Sequence, residues 1–246
     1  MIRKLTPNEY VVSSWSGGTT TQLAIFPPEA VYARRDFLWR ISSAAVELEE
    51  SDFTALPDYE RLISTLAGEM LLSHNGGPEL RLEPFRVHAF SGADATHSRG
   101  RCTDFNLMLR RGRAAGSMEA LRLKETPVSL SVGPGTAVPP PPFDETLLLY
   151  CVEGTASVGA VIGRPAEETA SVGAVIGRPA EETASVGAVI GCPCEAMPGD
   201  TPSGTGAACP PPDTTLAPGE SLLVTEPAAL SLSGPATVML CRVKAV

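Results

Sequence analysis

Three arginines interrupt segments that are otherwise apolar and alternating: Arg40 in FLWRISSAAVEL (37–48), Arg61 in ERLISTL (60–66) and Arg110 in DFNLMLR (104–110). A guanidinium turned inward needs a partner, because a bare buried cation is too costly. Its planar fork suits a carboxylate. That carboxylate is either internal, with Asp104 and Glu60 as candidates, or part of a ligand; a surface arginine lying along its own stem is the third reading. Asn106, two residues beyond Asp104, either joins such a network or serves structure alone. A second polar concentration is WSGGTTTQLAIFPP, Trp15 to Pro28. Gly17 and Gly18 allow close backbone approach, Thr20, Thr21 and Gln22 offer hydrogen bonds, and Trp15 offers an apolar wall. This stretch is either the polar lip of a pocket or the hydrated beginning of a strand. In the pocket reading, Trp15, Thr20, Gln22, Arg40, Arg61 and Asn106 are the candidate ligand-binding residues, and the ligand is a small acidic metabolite.

Other chemistries find little footing. The histidines are His74, His88 and His97, with neither H-x-H nor H-E-x-x-H spacing. His74 sits in a Gly/Asn-rich turn, His97 in a polar loop, and both are expected at the surface; His88 lies in a strand-like segment that could line a pocket. Cys192-Pro193-Cys194 is C-x-C without a second pair, in a Pro/Gly-rich stretch, and reads as a bystander pair of thiols. Nucleophile-elbow, P-loop and G-x-G-x-x-G patterns are absent. The expectation is a protein with no metal, no cofactor and no catalytic residue of a recognisable kind.

Composition narrows the partners. The 246 residues are 43% hydrophobic with a formal net charge of −9. That charge argues against nucleic acid and against an anionic membrane surface. Arginine is concentrated in the first half, while the second half is acidic and proline-rich, so an anionic ligand belongs with the first. There is no apolar run of membrane-spanning length and no apolar core to the N-terminal segment MIRKLTPNEYVVSSW. The six cysteines form no compact disulfide framework. The cytoplasm is the expected location, and a homo-oligomer is compatible with all of this.

The elements that must carry the arginines are strands. In 37–48, Trp39, Ile41, Ser43 and Ala45 fall on one face and Arg40, Ser42, Ala44 and Val46 on the other. In 60–66, Arg61, Ile63 and Thr65 oppose Leu62, Ser64 and Leu66. In 104–110, Asp104, Asn106, Met108 and Arg110 oppose Phe105, Leu107 and Leu109. Ala67-Gly68-Glu69 reads as a turn into a strand at Met70–Leu72, and Glu79–Leu82 alternates again. TLLLYCV (146–152) is apolar throughout, as a strand buried on both faces would be. Ser221–Val224, Ala229–Leu232 and Thr237–Val243 complete the set, with Ser233-Gly234-Pro235 as a hairpin turn between the last two. Many short strands at regular spacing define a barrel or sandwich.

Between the halves lies VGPGTAVPPPPFDE (132–145), an extended connector. From Thr155, TASVGAVIGRPAEE repeats exactly, then a third copy stops at TASVGAVIG. Near-identity of the copies fits a recent tandem expansion. Residues of about 156–213 are read as a mobile insertion outside the core.

Taken in order, Trp15–Pro28, RDFLWRISSA (35–44), FTALPDYERLISTLAGEMLL (53–72) and DFNLMLRRG (104–112) resemble the HutD/Ves family of small bacterial cupin proteins. Family members carry Trp-x-Asn-Gly-Gly-Gly-x-Thr-x-Glu, Phe-x-Trp-Arg-x-Ser, Phe-Pro-Gly-x-x-Arg and Asp-Phe-Asn-x-Met. The chain departs from this at Ser16 and Gly17, at Gln22 in place of the glutamate, at Asp58 in place of a glycine, and in its long insertion. The resemblance implies an all-β, cupin-like (RmlC-like) β-barrel fold with two barrel halves fused, a bicupin. The halves would be residues 1–115 and 116–246, the second interrupted at about 156–213. It further implies a metal-independent, non-catalytic binding or regulatory protein for a small carboxylate linked to histidine or amino-acid catabolism. An isomerase or lyase using a glutamate or histidine base, and a structural protein with a decayed pocket, are the alternatives.

Overall fold

Short alternating apolar runs, cut by glycine and proline, build nineteen strands and no α-helix among the described residues. The computed structural model describes residues 1–133, 145–160 and 214–246. The strands run β1 (Ile2–Leu5), β2 (Val11–Trp15), β3 (Gly18–Phe26), β4 (Trp39–Val46), β5 (Glu50–Asp52), β6 (Tyr59–Gly68), β7 (Met70–His74), β8 (Leu80–Leu82), β9 (His88–Ser91) and β10 (Thr96–Arg99). They continue with β11 (Cys102–Arg110), β12 (Ala114–Arg122), β13 (Val128–Val132), β14 (Thr146–Gly154), β15 (Ala156–Ala160), β16 (Thr214–Leu216), β17 (Ser221–Val224), β18 (Ala228–Ser233) and β19 (Ala236–Ala245). The only other regular elements described are two 3-10 turns, Pro7–Glu9 and Tyr32–Arg34.

These strands form four antiparallel sheets, in the orders β5-β10-β7-β8, β2-β3-β4-β11-β6-β9, β1-β17-β14-β19-β12 and β13-β18-β15-β16. Three apolar layers lie between them. Ile63, Met70, Leu72, Leu82 and Phe90 fill the space between the first two sheets. Trp39, Ile41, Phe105 and Leu107 meet Met118, Leu148, Met239 and Cys241 between the second and third. Leu147, Leu149, Val158, Leu230, Leu232 and Leu240 fill the last. The third sheet is therefore covered on both faces, which is why TLLLYCV is apolar throughout: Leu148 faces one layer, Leu147 and Leu149 the other. The sheets are open and stacked face to face, and none closes on itself through its hydrogen bonds.

The six-stranded sheet carries the residues singled out by their types. Its register aligns Arg40 of β4, Met108 of β11, Arg61 of β6 and Phe90 of β9 in one row across the strands. The next row on the same face is Gln22, Ser42, Asn106, Ile63 and His88, and the third holds Thr20, Ala44, Asp104 and Thr65. The opposite face, with Trp39, Ile41, Phe105 and Leu107, is dry core. Burying that apolar face compels the polar one to point the other way, because strand side chains alternate.

Several expectations need correction. Ala156–Ala160, read as the start of an insertion, are a strand between β16 and β18, with Ala156 and Val158 buried in the core. The remainder of the repeat, the proline connector at 134–144 and the Cys192–Cys194 pair lie outside the described residues. Ser233-Gly234-Pro235 is a turn but not a hairpin: β18 pairs with β13 and β15, whereas β19 pairs with β12 and β14 in another sheet. The turn carries the chain across an apolar layer. At the other end of the chain, β1 leaves the sheets of the first half and pairs with β17.

Candidate functional site

A cavity of about 340 Å³ opens over the polar face of the six-stranded sheet. Its floor comes from the aligned rows: Arg40, Met108 and Arg61, then Ser42 and Asn106, then Ala44 and Asp104. Its walls come from β2, the Tyr32 turn and the segment Ser51–Thr54. Of the six residues named from the sequence, Trp15, Thr20, Arg40, Arg61 and Asn106 line this cavity. Gln22 stands beside it, its Oε1 accepting a 2.8 Å hydrogen bond from Arg40 Nε.

The two guanidiniums are the dominant electrostatic feature. Arg40 and Arg61 are 4% and 6% exposed. Arg40 donates to Gln22 and, from NH1, to Ser42 Oγ at 3.0 Å, both neutral acceptors, and lies over the Tyr32 ring at 4.5 Å. Arg61 lies over Phe53 and Phe90 at 4.8 and 5.1 Å, and its Nε has no hydrogen-bond partner among the described residues. Ring faces give a cation partial compensation through their quadrupoles. Burial lowers the pKa of both arginines, that of Arg61 to about 10, and Arg40 adds to the effect on Arg61 by repulsion.

Asp104 faces them from the third row. Burial pushes its carboxyl up to about 7, against the opposing pull of Arg61, the Ala44 backbone amide and Arg40. Asn106 Oδ1 is also buried with no hydrogen-bond partner among the described residues. Such groups are uncommon in native interiors, and they concentrate where a ligand completes the network.

Trp15 is 38% exposed and stands at the rim. A Cβ at Gly17 would fall within its indole ring, so the glycine is what lets the ring lie against the backbone. Gly18 has φ +146°, and a Cβ there would run into the Ala45 carbonyl oxygen. The two glycines thus seat β3 against β4 and leave room for the ring.

The remaining residues fall elsewhere. Arg110 is not in the cavity: its NH1 donates to the Arg35 carbonyl at 2.8 Å and to Tyr59 Oη at 3.2 Å. Glu60 points to the exterior and pairs with Arg111 at 2.8 Å, so it is not the partner of an inward arginine. His74 is not a surface turn residue. Half-buried at the end of β7, its Nε2 lies 2.9 Å from His88 Nε2 and its Nδ1 2.9 Å from Thr96 Oγ1, with the Phe90 ring beside both imidazoles. His97 contacts the exposed Asp52 at 2.8 Å. Among the described residues neither a histidine nor a glutamate lines the cavity. Among the described residues no cluster of three His, Cys, Asp or Glu side chains is placed to hold a metal. Sequence reasoning missed Tyr32 and Phe53, the aromatic plates for the arginines. Only the aromatic type of each was a signal, since both lie in connecting segments without periodicity.

Stacked antiparallel sheets with a polar cavity on one face define an all-β protein of cupin-like fold. The chain belongs to the HutD family, whose family model matches residues 7–183. Two solved structures align over their full lengths and over all of this chain: PA5104, a conserved protein of unknown function from Pseudomonas aeruginosa PAO1, and HutD from Pseudomonas fluorescens SBW25 in a formate condition. The identities are 19% and 18%, with TM-scores of 0.66 and 0.63. The bacterial pirin YhhW of Escherichia coli, solved in complex with nickel(II), aligns over 100% of both chains at 11% identity and a TM-score of 0.56. At such identities the likeness is one of fold. No curated protein matches the chain in sequence. Among the described residues no helix is long and apolar enough to cross a membrane.

Proposed function

We propose that this HutD-family protein binds a small carboxylate metabolite in the arginine-lined cavity and acts as a non-catalytic binding or regulatory protein in histidine or amino-acid catabolism. The observation that carries the reading is the pair Arg40 and Arg61, both buried, neither ion-paired among the described residues, and both opening on one cavity. Two buried guanidiniums share only the carboxyl of Asp104, which burial biases towards its protonated form, and a ligand carboxylate relieves that imbalance with charge-assisted hydrogen bonds. Trp15, Thr20, Gln22 and Asn106 complete the site as a wall and as hydrogen-bonding groups. The volume suits a small metabolite. In the same reading the two pairs of sheets are two fused cupin-like halves, the second serving as support, and the protein works in the cytoplasm.

The test is a thermal-shift panel of small carboxylic acids, including histidine-degradation intermediates. A ligand at a hundredfold excess over its Kd stabilises by about 2.7 kcal/mol, which raises the melting temperature of a protein this size by about 5 °C or more. Arg40→Gln and Arg61→Gln are expected to abolish the shift while retaining a cooperative transition. A shift that survives both substitutions, or no shift with any acid, refutes the reading.

One observation favours an enzymatic alternative. Asp104, pushed up to about 7, has the proton affinity that a general acid or base needs at neutral pH. The base would then be Asp104 and neither a glutamate nor a histidine. Turnover of a bound acid, followed by proton NMR and lost in Asp104→Asn, would decide for the isomerase or lyase.

A further inference from the structure

We propose that His74 and His88 form a binding site for a divalent transition ion of the nickel(II)–copper(II) class, held by the Nε2 atoms of both imidazoles and completed by water. The site lies outside the arginine cavity, which neither ring lines, and it does not depend on what that cavity binds.

Three observations carry it. The first is the approach of the two rings. His74 Nε2 and His88 Nε2 lie 2.9 Å apart. An imidazole holds a metal through a ring-nitrogen lone pair, at about 2.1 Å. Two such nitrogens at right angles about one ion are then about 3.0 Å apart, and two at the tetrahedral angle about 3.4 Å. The observed separation fits the right-angled arrangement. Copper(II) and nickel(II) adopt it in tetragonal or square-planar sites, and imidazole suits both ions.

The second observation is the tautomer that the surroundings impose. Thr96 Oγ1 donates to the Asp94 carbonyl oxygen at 3.3 Å, so it meets His74 Nδ1, 2.9 Å away, as an acceptor. His74 therefore carries its proton on Nδ1 and presents a bare Nε2. An outer hydrogen bond of this kind orients metal-binding histidines in general. Without an ion, His88 donates its Nε2 proton to that lone pair. When an ion enters, the proton moves to His88 Nδ1, both rings stay neutral, and both Nε2 lone pairs go to the metal.

The third is placement. His74 ends β7 in the four-stranded sheet and His88 begins β9 in the six-stranded one, so the two donors stand on regular strands of two sheets. The Phe90 ring lies 4.9 Å from His74 and 5.9 Å from His88, and Thr96 is buried, which fixes the imidazoles on their inner side. Both rings are half-buried, so an ion reaches them from solvent. The Asp94 carboxylate accepts from Asn75 Nδ2 at 2.9 Å, and no third His, Cys, Asp or Glu joins the pair among the described residues. The remaining positions are left to water. An ion held there ties one sheet to the other.

The experiment is a nickel(II) titration of the full chain after dialysis against a chelator. Nickel(II) is the probe because free thiols reduce copper(II), and Cys192→Ser with Cys194→Ser forms the background so that the C-x-C thiols do not compete. Calorimetry is expected to show one ion per chain, with a raised melting temperature. His74→Gln and His88→Gln should each weaken binding about a hundredfold or more, and Thr96→Val, which removes the outer hydrogen bond, about tenfold. His97→Gln should leave binding unchanged. Circular dichroism checks the fold of each variant. Paramagnetic broadening in the NMR spectrum of the unsubstituted histidines gives a readout that needs no variant: the His74 and His88 ring signals should broaden first and His97 should not. Affinity that survives both His74→Gln and His88→Gln, broadening centred on His97, or no saturable binding overturns the proposal. None of these results bears on the arginine cavity, whose own test is the panel of acids.

Discussion

Asp104→Asn isolates a strongly displaced ionisation beside the two buried arginines. The carboxyl is buried among Ala44, Thr65 and the two arginines, and its pKa rises from an ordinary 3.8 to about 7. A raised carboxyl binds its proton more tightly in the folded state than in the unfolded one. Its contribution to stability is therefore complete below pH 3.8, declines as pH rises towards 7, and is flat above. A rise from 3.8 to about 7 corresponds to at most about 4 kcal/mol lost across that window. Asparagine has the same shape and no proton to lose, so the variant should match wild type at pH 4 and exceed it increasingly up to pH 8. Urea denaturation at pH 4, 5, 6, 7 and 8, with stability taken from the midpoint and slope, reads the difference directly. Equal pH dependence in the two proteins, or a variant that is less stable at pH 8, would refute the reasoning. It would mean that Arg61 and Arg40 hold the carboxyl ionised despite its burial.

Two further outcomes are expected. Val158→Ala, in the first copy of the repeat, removes two methyl groups from a residue buried in the layer between β15 and the third sheet; it should cost about 2 kcal/mol in chemical denaturation, and a neutral result would place that strand outside the cooperative core. His88 has its pKa lowered below 6.5 by burial first and by His74 second. A lowered base favours the neutral form in the fold, so this group's contribution is present above pH 6.5 and lost as pH falls; an NMR titration showing His88 protonating at or above 6.5 would contradict the observed His74–His88 contact.

The local pattern carried far in some places and stopped in others. Residues 37–48, 60–66 and 104–110 became β4, β6 and β11 with the faces expected of them, because alternation is a property of neighbouring residues and the apolar face had only one direction to go. TLLLYCV became a doubly covered strand for the same reason. The hairpin expected at Ser233–Pro235 did not form, since a turn signal does not say whether the next strand stays in the same sheet. The repeat misled in a different way. Exact copies suggest dispensability, yet Val158 of the first copy has neighbours from β16 and β18 that hold it in the core. His74 and His88 looked unrelated because they lie on β7 and β9, strands of two different sheets, and meet only where those sheets face each other.

By itself the sequence determined the all-β class and the faces of the central strands, both consequences of period-two alternation and the penalty for leaving apolar faces in water. Only the tertiary structure decided that Arg40 and Arg61 flank Met108 over one cavity, that Asp104 faces them and Arg110 does not, and that Tyr32, Phe53 and Phe90 supply their ring faces. Those relations depend on strand register and on packing between residues distant in the chain, and so arise only when the sheets close over one another.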